Sequence, residues 1–111
     1  MSVIVITNEN FEKEVINSQK PVLLDFWSPT CGPCLRLAPL VDEIANEQDA
    51  VKICKVNVSE YPELAMQFDI MSIPLLVLVQ DGKIVARHEG FWPNQKELMQ
   101  KMLAPYMEKA Q

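Results

Sequence analysis

The alternation of short apolar runs with helical patterns constrains the fold of this chain more than any other feature. Runs of β-branched and aliphatic residues predict five strands, and apolar residues spaced three and four apart predict helices between them. The predicted order is βαβαβαββα. Parallel strands joined through helices, followed by an antiparallel hairpin, predict an α/β fold. We expect a central mixed β-sheet of about five strands, flanked by about four helices on both faces.

The predicted elements cover most of the chain. The strands are Val3–Ile6, Val22–Trp27, Val51–Val58, Leu75–Val79 and Ile84–His88. The helices run from about Asn10 to Gln19, from Gly32 to about Glu47, from Glu60 to Phe68, and from Asn94 towards the C-terminus. Their inward faces are predicted to carry Phe11, Val15 and Ile16 in the first, Tyr61, Leu64, Ala65 and Phe68 in the third, and Leu98, Met102, Leu103 and Tyr106 in the last. Asp81-Gly82 predicts a tight hairpin turn, and Pro39 predicts a kink in the second helix.

Length and composition predict a single globular domain over residues 1–111. A chain of this size buries roughly two-thirds of its unfolded surface, which suffices for a core without metal or disulfide staples. The net charge of −5 argues against a nucleic-acid partner. We find neither a signal-peptide pattern nor a membrane span, and we expect a soluble cytoplasmic protein. In a reducing cytosol, a close pair among three cysteines indicates chemistry or metal binding rather than a structural staple.

The strongest local motif is Cys31-Gly32-Pro33-Cys34, where a predicted strand gives way to a helix. Unpaired backbone donors and the helix dipole at a helix N-terminus favour a thiolate over a thiol. Gly32 permits a tight turn, and Pro33 costs little because first-turn donors have no intrahelical partner. Cys34 lies about one turn from Cys31 on the same helix face. One sulfur can therefore attack an external disulfide and the other can resolve the mixed disulfide.

Two structural alternatives compete with this redox interpretation. A Cys-x-x-Cys motif is half of a zinc site, but the remaining candidate ligands, Cys54 and His88, lack metal-ligand spacing, so we predict no metal. A pair of buried structural thiols is the second alternative, and the position at a helix start argues against it.

The segment Phe26-Trp27-Ser28-Pro29-Thr30-Cys31-Gly32-Pro33-Cys34, followed by Pro39, resembles the active site of the thioredoxin family. The resemblance extends through Asp25, Lys55-Val56-Asn57-Val58, Ser72-Ile73-Pro74, Asp81-Gly82 and Gly90, and so covers essentially the whole chain. It implies the thioredoxin fold and a protein-disulfide reductase with a redox-active Cys31–Cys34 disulfide. In that role Cys31 is the nucleophile, Cys34 is the resolving cysteine, and Gly32 and Pro33 tune the pair.

The resemblance also assigns two charged strand residues. A lone carboxylate in an apolar strand is costly unless it is paired or protonated, and a solvated strand end is the alternative for Asp25. Family likeness makes Asp25 a buried acid behind Cys34, which accepts its proton. Lys55 matches the family lysine near this acid and would tune the pair, whereas its alternative is a solvated strand lysine.

Four further residues are assigned to substrate docking by the resemblance. From the residues alone the Ile73–Pro74 bond is predicted trans, because few X-Pro bonds are cis. The resemblance reverses that prediction and implies a cis bond that holds Pro74 against the cysteines and presents the Ile73 backbone to an extended substrate. Gly90 matches a glycine that lets the substrate approach. Trp27 is either plain core or a packing support for the docking surface.

The chain departs from the family pattern at several positions. Thr30 stands where a second tryptophan is common, and Leu35 stands where a basic residue is common. We expect the Thr30 hydroxyl to donate to the Cys31 thiolate and so to tune it. Phe91 and Trp92 follow Gly90 where small residues are usual. We hypothesise that they restore apolar docking surface, the alternative being a tryptophan packed under the last helix.

The remaining residues of chemical interest are assigned structural roles. Cys54 is predicted to fill the core, and a regulatory role would require it to be exposed. His88 is predicted to be solvated, and Met71 is predicted to be a flexible apolar contact near Pro74.

The function predicted from this sequence is reduction of protein disulfides by dithiol–disulfide exchange. We expect no bound cofactor, a separate thioredoxin reductase as the electron source, disulfide-containing proteins as substrates, no membrane partner and a monomeric state. Two alternatives stay open: a non-catalytic adaptor that binds a partner through the same surface, and a disulfide oxidant or isomerase.

Overall fold

A computed structural model describes residues 2–109, with side chains through residue 107. The strands are β1 (Ile4–Val5), β2 (Val22–Trp27), β3 (Lys52–Asn57), β4 (Leu75–Gln80) and β5 (Lys83–Glu89). The α-helices are α1 (Gly32–Glu47), α2 (Pro62–Met66) and α3 (Gln95–Lys109), and a π-helix spans Glu12–Ile16. The strands form one sheet in the order β1-β3-β2-β4-β5. The β1–β3 and β2–β3 pairs are parallel, whereas the β2–β4 and β4–β5 pairs are antiparallel. The predicted five-stranded mixed sheet is confirmed.

Each face of the sheet carries its own apolar core, because side chains alternate along a strand. One core lies between the sheet and the π-helix with α2, and it contains Phe26, Cys54 and Val77 from the strands, Val15 and Leu64 from the helices, and Phe11 and Phe68 from the residues beside them. The other lies between the sheet and α1 with α3, and it contains Leu23, Ile53 and Leu76 with Leu37, Val41, Ile44, Met99 and Leu103. The prediction of helices on both faces is confirmed.

The first predicted helix is shorter than the pattern indicated. The helical hydrogen bond from Asn17 N to Glu12 O spans five residues, and the π-helix ends at Ile16 rather than at Gln19. Phe11 and Val15 are buried as predicted, but Ile16 is 39% exposed, so its assignment to the inward face was wrong. Ile16 directly follows the buried Val15, so one residue of rotation about the helix axis carries its side chain well away from the inward direction, and Ile16 is also the last residue of the element.

Other details of the elements also differ from the sequence prediction. The third strand is trimmed at both ends to Lys52–Asn57, and the helix predicted from Glu60 to Phe68 is regular only over Pro62–Met66. In α3 the predicted Leu103 is fully buried, as is Met99, whereas the predicted Leu98 is half-buried. By contrast, β2 and α1 have the predicted bounds, and Pro39 lies inside α1.

The hairpin between β4 and β5 has the predicted two-residue turn. Asp81 and Gly82 have φ angles of +53° and +76°, as a tight turn compatible with strand twist requires. Within residues 2–109, no helix is long and apolar enough to cross a membrane.

Candidate active site

Cys31 and Cys34 are joined in a disulfide at the start of α1, with their Cα atoms 5.2 Å apart. Cys31 is the N-cap residue, and its Sγ accepts a hydrogen bond from the Cys34 backbone N–H at 3.2 Å. Cys31 is half-buried, whereas Cys34 is only 2% exposed. An attacking molecule can therefore approach the pair from the Cys31 side, and Cys34 is shielded.

The first turn of α1 has the residues expected at the start of a helix that stabilises a thiolate. Gly32 and Pro33 are exposed and open the helix, so the missing N–H of Pro33 falls where no intrahelical partner exists. No acidic side chain lies in this described first turn, so nothing there offsets the positive end of the helix dipole. The sulfur of Cys31 sits where backbone donors favour negative charge.

The Ile73–Pro74 loop lies against the cysteine pair. The Ile73–Pro74 bond is cis, which confirms the expectation from the family resemblance and contradicts the trans bond predicted from the residues alone. The Ile73 carbonyl oxygen is 3.9 Å from Cys31 Sγ, and Pro74 O accepts a hydrogen bond from Gly90 N at 2.9 Å. Gly90 has a φ of +86°, a conformation that side-chain-bearing residues rarely adopt. The structure thus brings together Cys31, Ile73, Pro74 and Gly90.

Asp25 is buried in β2 at 2% exposure, not solvated at a strand end. Its Oδ1 has no hydrogen-bond partner among the described residues. Burial raises the pKa of Asp25 from 3.8 to about 7, the nearby Lys55 charge counters part of this rise, and Asp42 adds to it. Asp25 projects to the face covered by α1, because it alternates with core residues of the other face. Cys34 shares a helix face with Leu37, which packs on that same side of the sheet.

The Lys55 and Trp27 side chains contact each other close to Asp25. Lys55 is the register partner of Asp25, and its Nζ lies 4.7 Å from the centroid of the Trp27 ring. Both side chains are half-buried, so neither plain-core burial of Trp27 nor full solvation of Lys55 describes them. They line a cavity of about 300 Å³ together with Val5, Thr7, Asn57 and Tyr61.

Thr30 is exposed and turned towards Ser28. Its Oγ1 is 3.1 Å from Ser28 Oγ, and its backbone N–H donates to the same Ser28 oxygen at 3.3 Å. The hydrogen bond that Cys31 Sγ accepts comes from Cys34 N. A role for the Thr30 hydroxyl in tuning the Cys31 thiolate stays a prediction.

Phe91 and Trp92 have different surroundings. Phe91 is half-buried on the α1–α3 core, with the Arg36 guanidinium 5.7 Å from its ring centroid. Trp92 is 53% exposed, and its indole Nε1 donates to Glu89 O at 2.9 Å. Trp92 is therefore a surface residue beside Gly90, not a side chain packed under the last helix.

The prediction that His88 is solvated was wrong. The register pairs His88 with Leu76, which places it on the same sheet face as Asp25, and Trp92 covers its ring with centroids 6.4 Å apart. Its buried Nε2 has no partner among the described residues. The charged neighbours Arg87 and Glu89 suggested solvent, but strand alternation sends them to the other face. Met71, in contrast, is 87% exposed near Pro74.

Cys54 is fully buried in the core on the sheet face opposite Asp25, which confirms its predicted role. Burial raises the pKa of its thiol to about 12, so the exposure that a regulatory role required is absent. Among residues 2–109 no three His, Cys, Asp or Glu side chains are grouped as metal ligands.

Three residues near the site were missed by the sequence interpretation. Gln95 is 1% exposed and accepts the Trp92 N–H at 3.0 Å. Arg87 donates to Phe68 O at 2.6 Å and to Asp69 O at 3.2 Å, which ties the loop before Pro74 to β5. The Ser72 hydroxyl donates to Glu89 Oε2 at 3.4 Å. The alternation of residues along β5 could have indicated this arrangement, because it places Arg87 and Glu89 on one face of the sheet and His88 on the other.

Comparison with known proteins agrees with this geometry. The family model described as thioredoxin matches residues 2–110. Thioredoxin 1 of Synechococcus elongatus is 51% identical over 89 residues, which are 79% of this chain and 83% of that protein. The thioredoxin of Haemophilus influenzae is 46% identical over 92 residues, which are 82% of this chain and 86% of that protein. The thioredoxin of Porphyra purpurea is 40% identical over 108 residues, which are 96% of this chain and 99% of that protein. The chain therefore belongs to the thioredoxin family, and its Cys31–Cys34 pair makes it a dithiol–disulfide oxidoreductase.

Proposed function

We propose that this protein reduces disulfides of other proteins, with Cys31 as the nucleophile and Cys34 as the resolving cysteine. The observation that carries the proposal is the Cys31–Cys34 disulfide at the N-terminus of α1, with Cys31 Sγ 3.9 Å from the Ile73 carbonyl. This arrangement places a reactive sulfur next to a backbone that an extended substrate can pair with.

In the first step the Cys31 thiolate attacks one sulfur of a substrate disulfide. A bond forms between Cys31 and that sulfur, the substrate S–S bond breaks, and the departing substrate thiolate takes up a proton. The Cys34 N–H that reaches Cys31 Sγ, together with the helix dipole, stabilises negative charge on Cys31 before the attack. Gly32 and Pro33 keep this turn open, and the Thr30 hydroxyl is proposed to add to the tuning.

In the second step Cys34 resolves the mixed disulfide. Asp25 accepts the Cys34 proton, the Cys34 thiolate attacks Cys31 Sγ, and the second substrate sulfur leaves as a thiolate and is protonated. A pKa of about 7 lets the buried Asp25 carboxylate take up and release a proton near neutral pH. The Lys55 charge keeps this pKa from rising further. Two electrons pass to the substrate, and the Cys31–Cys34 disulfide is the product.

The docking surface is proposed to comprise the backbone of Ile73 and Pro74, the Gly90 approach, and the side chains of Trp27 and Trp92. Gly90 N is bonded to Pro74 O, so these two backbones form one continuous edge beside Cys31. The exposure of Trp92 at 53% supports its assignment, since the ring is available to a partner.

We further propose that the protein works as a single domain and a monomer in the cytoplasm. A separate thioredoxin reductase returns the pair to the dithiol, and no bound cofactor is needed because the cysteines carry both electrons. The net charge of −5 supports protein substrates rather than nucleic acid.

Trapping of mixed disulfides tests the assignment of the two cysteines. All variants carry Cys54→Ala, so that no third thiol contributes. With Cys34→Ser added, an insulin disulfide substrate is expected to accumulate as a covalent adduct through Cys31, because the resolving step is lost. With Cys31→Ser added, adduct formation is expected to fall to the level of the buried Cys34. Equal adduct yields from the two variants would contradict the assignment.

Insulin reduction separates the proposal from a non-catalytic adaptor. The protein carrying both cysteines is expected to catalyse insulin reduction by dithiothreitol, and Cys31→Ser is expected to abolish catalysis. An adaptor would leave insulin reduction at the uncatalysed rate, and its binding to a partner would survive Cys31→Ser.

A further inference from the structure

Trp92 is an exposed aromatic residue whose position is fixed at three points. Its Nε1 donates to Glu89 O at 2.9 Å, its backbone N–H donates to Gln95 Oε1 at 3.0 Å, and its ring packs against His88. A Cβ at Gly90 would lie 3.4 Å from the indole nitrogen, about van der Waals contact, so the ring lies directly beside Gly90. An aromatic side chain held in one orientation loses little entropy when a partner covers it.

Glu89 is the last residue of β5, and its carboxylate points to the sheet face opposite His88. Its Oε2 accepts a hydrogen bond from Ser72 Oγ at 3.4 Å, and Ser72 precedes Ile73, whose carbonyl is 3.9 Å from Cys31 Sγ. A strand advances about 3.3 Å per residue. A substrate strand that pairs beside Ile73 therefore brings a side chain one or two residues from its reacting cysteine within reach of Glu89.

The charge on Glu89 is not matched by a neighbouring cation. Within the part of the chain that the structure describes, no Lys, Arg or His nitrogen lies within 4 Å of this carboxylate. Arg87 projects to the same face, but its guanidinium donates to the carbonyls of Phe68 and Asp69. Glu89 and its hydroxyl partner Ser72 are both exposed. A partner that approaches this surface meets a carboxylate with one oxygen left to accept hydrogen bonds.

From these contacts we infer that the protein prefers disulfide substrates with an Arg or Lys side chain within about two residues of the attacked cysteine. The basic side chain pairs with the Glu89 carboxylate, while Trp92 supplies apolar contact area on the opposite side of the strand end. This inference rests on the proposed function and adds the charge of the preferred substrate. The overall charge of −5 acts in the same direction at long range, so the test must separate Glu89 from net charge.

The test uses three disulfide-looped peptides that are identical except for Arg, Gln or Glu next to one cysteine. Pre-reduced protein is mixed with each peptide, the reaction is quenched with acid, and chromatography of the products gives the second-order rate constant. The Arg peptide is expected to be reduced about two- to fivefold faster than the Glu peptide, the factor that one exposed ion pair supplies. The difference should shrink at high salt, where exposed charges are screened.

Two variants with the same net charge test whether Glu89 causes the preference for the Arg peptide. Glu89→Gln is expected to bring the ratio of Arg to Glu peptide rates close to one. Glu12→Gln is the matched control, because Glu12 is also exposed and belongs to the π-helix, whose last residue Ile16 lies near the hairpin glycine Gly82. That hairpin is at the opposite end of β4 from Pro74, so Glu12→Gln is expected to keep the wild-type ratio.

The outcomes distinguish this inference from the proposed function. Reduction of all three peptides at equal rates, or a ratio that survives Glu89→Gln, would overturn the inference and leave disulfide reduction intact. A ratio lost equally in Glu89→Gln and Glu12→Gln would also overturn it, since net charge would then explain the preference. Failure to reduce any of the three peptides would overturn the proposed function and this inference with it.

Discussion

Asp25 and Lys55 are register partners on β2 and β3, and the Lys55 ammonium lies over the Trp27 ring, 4.7 Å from its centroid. The lysine acts on Asp25 through space and lowers its pKa, while burial acts more strongly in the opposite direction. The net result is a carboxyl group whose pKa is about 7 in the folded protein. The acid that we assign to proton transfer is thus poised near neutral pH by two opposing effects.

Replacement of Asp25 by Asn is expected to change the pH dependence of stability in the disulfide form. Between pH 3.8 and about 7 the folded protein keeps a proton on Asp25 that the unfolded chain has released. The wild-type free energy of unfolding therefore falls, relative to Asp25→Asn, as pH rises through this window, and the difference is constant above it. The full difference is roughly 4 kcal/mol on the scale of 1.36 kcal/mol per pKa unit. Urea unfolding from pH 4 to pH 8 measures it.

The exposed Asp49 offers a matched control, because Asp49→Asn removes the same charge without removing a buried group. Its stability relative to wild type should show no such trend between pH 4 and pH 7. A difference between wild type and Asp25→Asn that stays flat over that range would show that Asp25 is not a buried acid of raised pKa.

Substitution of Lys55 by Met is expected to raise the pKa of Asp25, because it removes the one charge that lowers this pKa. The stem of methionine keeps most of the contact with Trp27. Carboxyl-carbon NMR titration of the oxidised protein follows Asp25 directly. Lys83→Met, at an exposed position on β5, serves as control and should leave the titration unchanged. An Asp25 pKa that falls in Lys55→Met contradicts the electrostatic assignment.

Much of this architecture follows from the sequence alone, and the exceptions have physical causes. The apolar run of β2 and the helical period of α1 predicted both elements with their observed bounds, because strong patterns and cap residues agree there. Ile16 was placed wrongly because it directly follows the inward-facing Val15 at the end of the helix, and adjacent residues of a helix do not share a face. His88 was placed wrongly because its surroundings come from Trp92, four residues away and outside the strand.

For the active site too, local features could be predicted from the sequence, whereas contacts between distant residues could not. The cysteine motif is local, so its chemistry could be argued from the residues and the helix start. The contact of Ile73 O with Cys31 joins residues 42 apart, and the docking of Ser72 on Glu89 joins residues 17 apart. Periodicity carries no information about such pairs. The resemblance to a family supplied the first of them, and only the structure supplied the second.

Removal of the Trp92 side chain is expected to lower kcat/KM for a protein disulfide substrate by about fivefold or more, the loss typical of an exposed aromatic anchor. The rate with a small disulfide reagent, which does not need the docking surface, should change little. Val85→Ala is the control, since Val85 is an apolar residue of β5 with a similar exposure of 46%. Unchanged kinetics of Trp92→Ala with the protein substrate would remove Trp92 from the docking surface.

The third cysteine is expected to be chemically silent in the folded protein. Cys54 is fully buried, and burial raises its pKa to about 12, so it offers almost no thiolate at neutral pH. Iodoacetamide treatment of the reduced protein, read by peptide mass spectrometry, should modify Cys31 first and leave Cys54 unmodified until urea unfolds the chain. Modification of Cys54 at a rate comparable with Cys31 would contradict its assignment to the core.

The reduction potential of the Cys31–Cys34 pair, measured against glutathione, tests the central claim most directly. The protein is equilibrated in glutathione buffers of graded composition, quenched with acid, and separated into dithiol and disulfide forms. A reductant of protein disulfides should have a potential more negative than that of the glutathione couple. The pair is then expected to remain mostly oxidised even where reduced glutathione is in large excess. Conversion to the dithiol at small ratios of reduced to oxidised glutathione would instead identify an oxidant or isomerase and contradict the proposed direction of electron flow.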